Sequence, residues 1–386
     1  MDLCDTPAES DFRTGLRIWL GEQLPQQDPD GPPPELTEQR SRAWTAALYK
    51  AGYTGLTWPV EYGGRGLSLS YQAIFAEECA LAGAPDPHGL IGLNMVGPTL
   101  IEYGTPAQKA RHLDPILRGE QVFCQGFSEP EAGSDLAAVL TRAEAVPGGY
   151  RVTGEKLWSS FAGTADRCLL LVRTGTPAER HQGLTCLLLD LSAAGVSVHP
   201  IRQLDGGDGF GRIALADVFV PDDDVVGAIG GGWAVAMATL AHERGTFAIG
   251  LAARFAVQLD RLLATVRVTG RAGDPGVRTA VARCYLDLQA LRHTGYRALT
   301  GLAAAGHPGP EMSILKLHWS QAHQRLSQLG WELLGPTGAL DGTDAPWSGY
   351  WQGELLHSRG DTIAGGTSEI LRGLVAERVV GLPRSR

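Results

Sequence analysis

The sequence changes its periodicity around residues 126–135, which read GFSEPEAGSD. Before this stretch, from about residue 10 to residue 118, apolar residues recur at intervals of three and four, as in residues 40–51 and 71–82. That spacing is typical of amphipathic helices. After the stretch come short runs that are rich in Val and Leu and are separated by turn residues, which favours strands. The stretch therefore marks the start of a β part that follows a helical part.

Four runs in the β part are predicted to be strands: residues 149–153, 167–172, 184–189 and 212–220. No helices alternate with them, so the βαβ units of a dinucleotide-binding fold are not indicated, and a small antiparallel barrel or sandwich fits better. From residue 230 the helical period returns, with helices predicted over residues 233–266, 275–305, 313–334 and 368–380, which suit antiparallel packing. The sequence thus predicts an α+β fold with an N-terminal helical domain (1–118), a middle β-barrel domain (119–228) and a C-terminal helical bundle (229–386).

Composition narrows the class of protein. The 386 residues carry a formal net charge of −9, which argues against a nucleic-acid-binding protein. No apolar run reaches the roughly 18 residues of a membrane span, and the N-terminus does not resemble a secretory signal, so a cytoplasmic location is expected. The six cysteines lack C-x-x-C spacing, which suits reduced thiols better than disulfides or a metal site.

Four segments, in the same order along the chain, resemble the acyl-CoA dehydrogenase family. They are GFSEPEAGSD at 126–135, GEKLWSS at 154–160, GGW at 231–233 leading into LAHERG at 240–245, and AGGTSEI at 364–370. The similarity runs along nearly the whole chain. It implies the fold of that family, with a middle antiparallel β-barrel and a C-terminal four-helix bundle. It also implies an FAD-dependent oxidoreductase that introduces a double bond into an acyl thioester.

The resemblance implies contacts with the cofactor. Those with the flavin ring are Phe127, Ser128, Trp158 and Ser160. Those on the opposite side of the FAD are Gly366, Thr367 and Glu369. Ser134 is implied to lie near the phosphates of the cofactor or of the substrate. A flavin that accepts hydride needs donors near N1 and C2=O, where negative charge accumulates. The alternatives from the residues alone are a core aromatic for Trp158 and a turn or helix cap for the two serines.

The resemblance also implies a catalytic base, through two positions of the sequence, Gly365 and Glu243. In many family members it is a glutamate directly before the C-terminal Gly-Thr, but here that position is Gly365, which has no side chain. The long-chain and isovaleryl members carry their glutamate on the helix after the Gly-Gly-Trp segment, where this sequence has Glu243. The resemblance therefore implies that Glu243 takes the α-proton and that the Gly365 N–H binds the thioester oxygen. Arg244, next to Glu243, is expected to contact the substrate or to orient the site, and the alternative is a free surface charge. The alternative for Glu243 is an exposed helix acid.

Two segments depart from the family pattern. The R-x-x-F-G segment is replaced by VRVTGR at residues 266–271, and the Q-x-x-G-G segment reads Glu332-Leu333-Leu334-Gly335-Pro336. Pro336 has no N–H to donate, and Glu332 would repel a phosphate. The adenosine end of the FAD is therefore expected to be held in another way, with Arg271 and Arg278 as alternatives. The assembly is expected to be a homodimer, a homotetramer or a heteromer with a related chain.

The sequence leaves two alternatives each for the carrier of the acyl group and for the electron acceptor. The thioester is on coenzyme A or on a carrier protein, which corresponds to a role in lipid or in secondary metabolism. The electrons go to an electron-transfer flavoprotein or to oxygen. Two other hypotheses compete with dehydrogenation: a flavin monooxygenase of the same fold and a non-catalytic subunit of a heteromeric dehydrogenase.

Overall fold

The structure is a computed structural model that describes residues 4–24, 37–305, 309, 311–340 and 342–383, without the side chains of residues 243–249, 303–305 and 343. The chain divides into two compact units. The helical unit comprises Met1–Glu35, Ser68–Ala84 and Arg244–Arg386, and the mixed unit comprises Leu36–Leu67 and Pro85–Glu243.

The α-helices are α1 Pro7–Gln23, α2 Glu38–Lys50, α3 Leu69–Leu81, α4 Gly97–Tyr103, α5 Pro106–Arg118, α6 Gly232–Val268, α7 Pro275–Ala305, α8 Glu311–Leu333, α9 Tyr350–Asp361 and α10 Ser368–Arg378. The strands are β1 Phe123–Gly126, β2 Arg142–Val146, β3 Gly149–Ser160, β4 Arg167–Arg173, β5 Leu184–Asp190, β6 Val196–Ile201, β7 Phe210–Pro221 and β8 Val225–Val226. The predicted α+β fold, helical at both ends and β in the middle, is confirmed.

The strands of the mixed unit form one sheet with the order β6-β7-β3-β2-β4-β5-β8, and β1 pairs with β4. Most neighbours are antiparallel, as predicted, but β1 runs parallel to β4, and β2 meets β4 in a parallel pairing. A parallel pair needs a long crossover, which residues 127–166 supply between β1 and β4. Strands β4 and β5 are buried along almost their whole length, which explains their unbroken apolar sequences.

A π-helical turn at Gly92–Val96 precedes α4. The indole N–H of Trp58 donates to the Leu93 carbonyl over 3.2 Å, so a side chain satisfies a backbone group within the widened turn. The turn brings Gly97 against the Trp58 ring, where an added Cβ would lie 2.1 Å from a ring carbon. Two residues after Gly97, the hydroxyl group of Thr99 lies 2.9 Å from that of Thr239, which links α4 to the first part of α6.

In the helical unit, α7, α8, α9 and the later part of α6 surround an apolar core. Trp351 of α9 is fully buried in it, and its indole N–H donates to the Thr265 hydroxyl over 2.9 Å. Gly330 of α8 allows this packing, because an added Cβ would lie 2.2 Å from the Trp351 ring. Across the described ranges, no helix combines the length and the apolar composition needed to cross a membrane.

Candidate active site

Two of the quoted sequence segments come together at one end of the sheet in the mixed unit. Phe127 follows β1 directly and is buried, and Ser128 is half-buried beside it. The N–H of Leu157 in β3 donates to the Ser128 carbonyl over 3.0 Å. This bond places Ser128 next to the strand segment that carries Trp158 and Ser160. The four residues predicted to contact the flavin ring therefore lie on two chain segments that the structure joins.

A buried ion pair fixes the same junction. The Lys156 ammonium lies 2.7 Å from a Glu129 carboxylate oxygen and donates to the Phe127 carbonyl over 3.1 Å. The Glu129 carboxylate also accepts the N–H groups of Leu140 and Thr141, at 2.6 and 2.8 Å. The sequence interpretation assigned no role to this pair. Each residue lies inside one of the four family-like segments, but because they are 27 positions apart the sequence does not show that they pair.

The protonation of this pair follows from its surroundings. Burial raises the pKa of Glu129, but the Lys156 charge and the hydrogen bonds to Leu140, Lys156 and Thr141 outweigh burial and lower it. Glu129 is therefore a carboxylate at neutral pH. For Lys156, burial lowers the pKa, while the Glu129 charge opposes that change. Each charge is thus held inside the protein chiefly by the other.

Trp158 has an unusual conformation for a strand residue. Its φ is 60°, in the left-handed region, at a break in the β3–β7 register between Lys156 and Ser159. The irregular segment leaves the indole 57% exposed, with the ring of Phe210 edge-on at 6.1 Å. A bulky residue at positive φ is strained, and such strain is typical of binding sites. The core alternative for Trp158 is therefore wrong, since its side chain faces solvent.

Ser134 lies on an exposed part of the loop that leads from β1 to β2. The adjacent Asp135 forms an ion pair with Arg180 at 2.9 Å, and both side chains are more than half exposed. Exposed pairs of this kind contribute little to stability. The predicted phosphate contact of Ser134 stays a prediction.

In the helical unit, the segment predicted to meet the other side of the FAD forms the turn between α9 and α10. Gly365 and Gly366 both have positive φ, at 61° and 101°. Thr367 caps α10, its hydroxyl accepting the Ile370 N–H over 3.3 Å, and Glu369 is exposed in the first turn. The N–H groups at the start of a helix favour negatively charged or acceptor groups. This turn can therefore present backbone donors to a ligand.

The predicted base lies on α6, but the side chains of Glu243 and Arg244 are outside the described residues. Their neighbour His242 is described. Its Nε2 lies 3.7 Å from a Glu102 oxygen, and burial, against the opposing effect of Glu102, lowers the pKa of His242. The imidazole is therefore neutral at pH 7. The sequence of α6 contains two acidic residues over 37 positions, Glu243 and Asp260.

The alternatives for the adenosine end of the FAD are placed as follows. The Arg271 guanidinium donates a hydrogen bond to the Asp274 carboxylate over 2.6 Å. Arg278 lies in the first turn of α7 and is exposed. Glu332 is exposed and accepts a hydrogen bond from the Gln328 amide over 2.9 Å.

A cavity of about 240 Å³ lies between α3, α6 and α7 of the helical unit. Its walls are mostly alanine and leucine side chains, and its polar groups are Glu77, Arg292 and Tyr296. None of the residues predicted for the site is among those that line it. Within the described part of the chain, no group of three or more His, Cys, Asp or Glu residues is arranged to hold a metal ion.

Family models match the chain in three consecutive parts. The N-terminal domain of acyl-CoA dehydrogenase matches residues 7–120, the middle domain matches residues 124–218, and the C-terminal domain matches residues 230–380. Among curated proteins, the acyl-CoA dehydrogenase IpdE1 of Mycobacterium tuberculosis is 40% identical over 381 residues, covering 97% of this chain and 98% of that protein.

Two solved structures are similar to this chain over its whole length. The Tcur3481-Tcur3483 steroid ACAD matches with a TM-score of 0.87 and 33% identity, and the match covers 100% of both chains. The ChsE4-ChsE5 complex from Mycobacterium tuberculosis matches with a TM-score of 0.82 and 28% identity, again over 100% of both chains.

Proposed function

Because this chain belongs to the acyl-CoA dehydrogenase family and catalyses α,β-dehydrogenation of an acyl thioester, we propose that Glu243 is its catalytic base. We also propose that the backbone N–H of Gly365 binds the thioester oxygen. FAD is the cofactor that the family implies.

The conformation of Gly365 supports this assignment. Its φ of 61° is one that residues with side chains rarely adopt, so the loop suits a glycine and does not suit a glutamate. Without a base on the loop, the proton has to be taken by another carboxylate. Glu243 lies on α6, a helix whose sequence has two acidic positions. It is the carboxylate that the family resemblance implies as the base.

The proposed chemistry divides among the residues of this chain. Glu243 takes the proton from the α-carbon as a general base. The Gly365 N–H stabilises the negative charge that develops on the thioester oxygen. Arg244 contacts the substrate, and Ser134 contacts a phosphate of the substrate or of the cofactor. FAD, when bound, supplies the acceptor for the hydride of the β-carbon.

The described residues fit FAD. An exposed indole at a strained strand position is suited to lie against a flat aromatic ring, and Trp158 provides one. The side chains proposed to surround the ring with it are Phe127, Ser128 and Ser160. The turn before α10 offers backbone N–H groups to acceptor atoms, with Gly366, Thr367 and Glu369 as the proposed contacts.

The assembly that we propose contains a second, related chain. One of the two similar solved structures is the ChsE4-ChsE5 complex, and the other carries the paired name Tcur3481-Tcur3483. In this chain, Glu332 and Pro336 stand in the segment that meets the adenosine end of FAD in the family, and neither suits a phosphate. A partner chain with its own segment would supply those contacts. A homodimer or a homotetramer is the alternative, and the electron acceptor is an electron-transfer flavoprotein or oxygen.

A thioester panel tests the function. The protein, purified alone and with a related partner chain, is mixed without oxygen with straight-chain, branched and steroid-type acyl groups on coenzyme A or on carrier protein. Loss of flavin absorbance near 450 nm, with formation of the enoyl thioester, is the expected result. A yellow protein that no thioester bleaches but that consumes oxygen would indicate the monooxygenase. A chain that stays colourless in every assembly would indicate the non-catalytic subunit.

Replacing Trp158 by Ala tests the flavin contact. We expect the FAD dissociation constant to rise about 3- to 10-fold, the effect of one aromatic stacking contact. The unfolding free energy of the apoprotein should change by less than about 0.5 kcal/mol, because the side chain is exposed. Phe219→Ala is the matched control, since Phe219 is also an exposed aromatic residue of the sheet, 43% accessible. Equal FAD affinities in the two variants would contradict the assignment of Trp158.

A further inference from the structure

A buried polar network in the helical unit joins α8 to the end of α9. Its members are Gln258, Lys316, His323, Glu354 and Asp361. His323 is 4% exposed; its Nδ1 lies 2.6 Å from an Asp361 oxygen and its Nε2 lies 2.9 Å from a Glu354 oxygen. A neutral imidazole has one N–H and can donate to one carboxylate, whereas the imidazolium has two and can donate to both. The geometry therefore calls for a positively charged His323.

The charges around His323 agree with that protonation state. Burial alone would lower the pKa of His323, but the hydrogen bonds to Asp361 and Glu354 and the charges of those residues raise it to about 9. The Gln258 amide on α6 lies 3.0 Å from Nε2 and 2.7 Å from Glu354, and donates to the carboxylate.

Other charged and aromatic groups surround the network. Arg261 on α6 lies over the ring of Tyr350, whose pKa is raised by burial and by Glu354. Lys316 lies on α8 itself, and Trp319 stacks on the His323 ring at 5.6 Å.

The network ends at the turn between α9 and α10. Lys316, seven residues before His323 and thus on the same face of α8, donates to the Asp361 carbonyl over 2.7 Å and to the Gly366 carbonyl over 2.9 Å. Gln324 donates to the Ser358 carbonyl over 2.9 Å. The bonds to Ser358 and Asp361 reach carbonyl groups in the last turn of α9, and the bond to Gly366 reaches the turn that follows it.

The turn itself has few apolar anchors. Residues 363–365 are exposed, and Ile363 is 66% accessible. The turn is held by three backbone bonds, from Ile363 and Ala364 to the Gly360 carbonyl and from Ser368 to the Thr362 carbonyl, each 2.9 Å long. Its position therefore depends on the polar contacts at its two ends, which are Asp361 and Gly366.

We propose that His323 is a positioning residue, which holds Asp361 and, together with Lys316, fixes the turn that carries Gly365. The proposal rests on the proposed function, because it is in that function that Gly365 binds the thioester oxygen and Gly366 and Thr367 contact FAD. His323 is not among the residues proposed to contact the substrate or FAD. The turn buries little of its own surface, and His323 keeps it in one conformation. The Gly365 N–H is therefore in place before the substrate binds.

Hydrogen exchange of the apoprotein tests this role without any activity. In His323→Gln at pH 7 we expect the amides of Ile363, Ala364 and Ser368 to exchange about tenfold faster, the loss expected for one charge-assisted hydrogen bond. His318→Gln is the control, because His318 lies on the same helix, is one-third exposed, and meets Asp287 at 3.5 Å. Asp361→Asn, which keeps the backbone carbonyl, should accelerate the same amides if His323→Gln does not fold.

The pH dependence gives a second readout. The pKa of His323 is raised from an ordinary 6.5 to about 9, so the imidazolium stabilises the fold fully below pH 6.5 and this contribution is lost as the pH rises through 9. The urea midpoint of the wild type should exceed that of His323→Gln at pH 6, and the two should converge above pH 9. His318→Gln should not show this convergence.

The outcomes separate the two proposals. If the exchange of the turn amides in His323→Gln equals that in wild type while the urea midpoint falls, His323 serves only the stability of the bundle and the positioning role is overturned. If the turn amides exchange faster, the positioning role holds. Failure of the proposed function would appear elsewhere, as a wild-type protein that no acyl thioester bleaches.

Discussion

Replacing Glu243 by Gln is expected to leave FAD bound and to slow flavin bleaching by an acyl thioester about 10²–10⁴-fold, the usual contribution of a general base. Glutamine has nearly the same shape as glutamate and keeps the hydrogen-bonding capacity of the side chain, but it cannot accept the α-proton. The loss should therefore appear in kcat and in kcat/KM together, because the removed interaction belongs to the transition state. Stopped-flow absorbance at 450 nm, without oxygen, measures it.

The control for this variant is Glu120→Gln, at an exposed carboxylate after α5 that meets Arg118 at 4.0 Å. It should bleach at the wild-type rate. The pH profile adds a second criterion, since the acidic limb of kcat/KM in the wild type should disappear when Glu243 is replaced. A Glu243→Gln protein with near-normal turnover would show that another group takes the proton.

Replacing Lys156 by Met is expected to lower the unfolding free energy by about 3–5 kcal/mol, the cost of leaving a buried charge without its partner. Lys156 is fully buried and Glu129 is 8% exposed, so water cannot replace the lost ammonium. The Phe127 carbonyl would lose its hydrogen bond from Lys156 as well, which should also weaken FAD binding. Urea unfolding of the apoprotein measures the first effect, and a titration with FAD measures the second.

The matched control is Arg212→Met, which removes an exposed ion pair with Glu155 in the same sheet. It should cost less than about 1 kcal/mol, because solvent screens such pairs. The double replacement Lys156→Met with Glu129→Gln should be more stable than Lys156→Met alone. In the double variant neither position 129 nor position 156 carries a charge, and the amide oxygen introduced at position 129 can still accept the N–H groups of Leu140 and Thr141. If Lys156→Met cost no more than Arg212→Met, the buried pair would not hold the junction.

The sequence predicted the architecture well because the local periodicity agrees with the fold. The helix predicted over residues 275–305 has those same limits, and the strand predicted over residues 167–172 is one residue longer. The parallel pairing of β1 with β4 was missed, because strand direction depends on a crossover whose course does not appear in the residue pattern. The division of the chain into three domains at residues 118 and 228 stays a prediction.

The contacts within the site could be predicted less well than the fold, because they join residues that are far apart in the sequence. Trp158 was found through its segment, but its left-handed φ arises from a register break that depends on the neighbouring strand. Glu129 and Lys156 were quoted without a role, because two charges 27 residues apart give no sign in sequence that they share one buried position. His323 and Asp361 were missed for the same reason. Long-range polar pairs become visible only when the fold brings their partners together.

The π-helical turn at Gly92–Val96 constrains the number of residues at this point as well as their identity. Such a turn amounts to one inserted residue in a helix, and removing one residue would restore the ordinary winding while rotating everything beyond it by about 100°. Gly97 would then leave the Trp58 ring, and Thr99 would turn away from Thr239. Substitutions among related chains can therefore accumulate around this turn more readily than insertions or deletions within it.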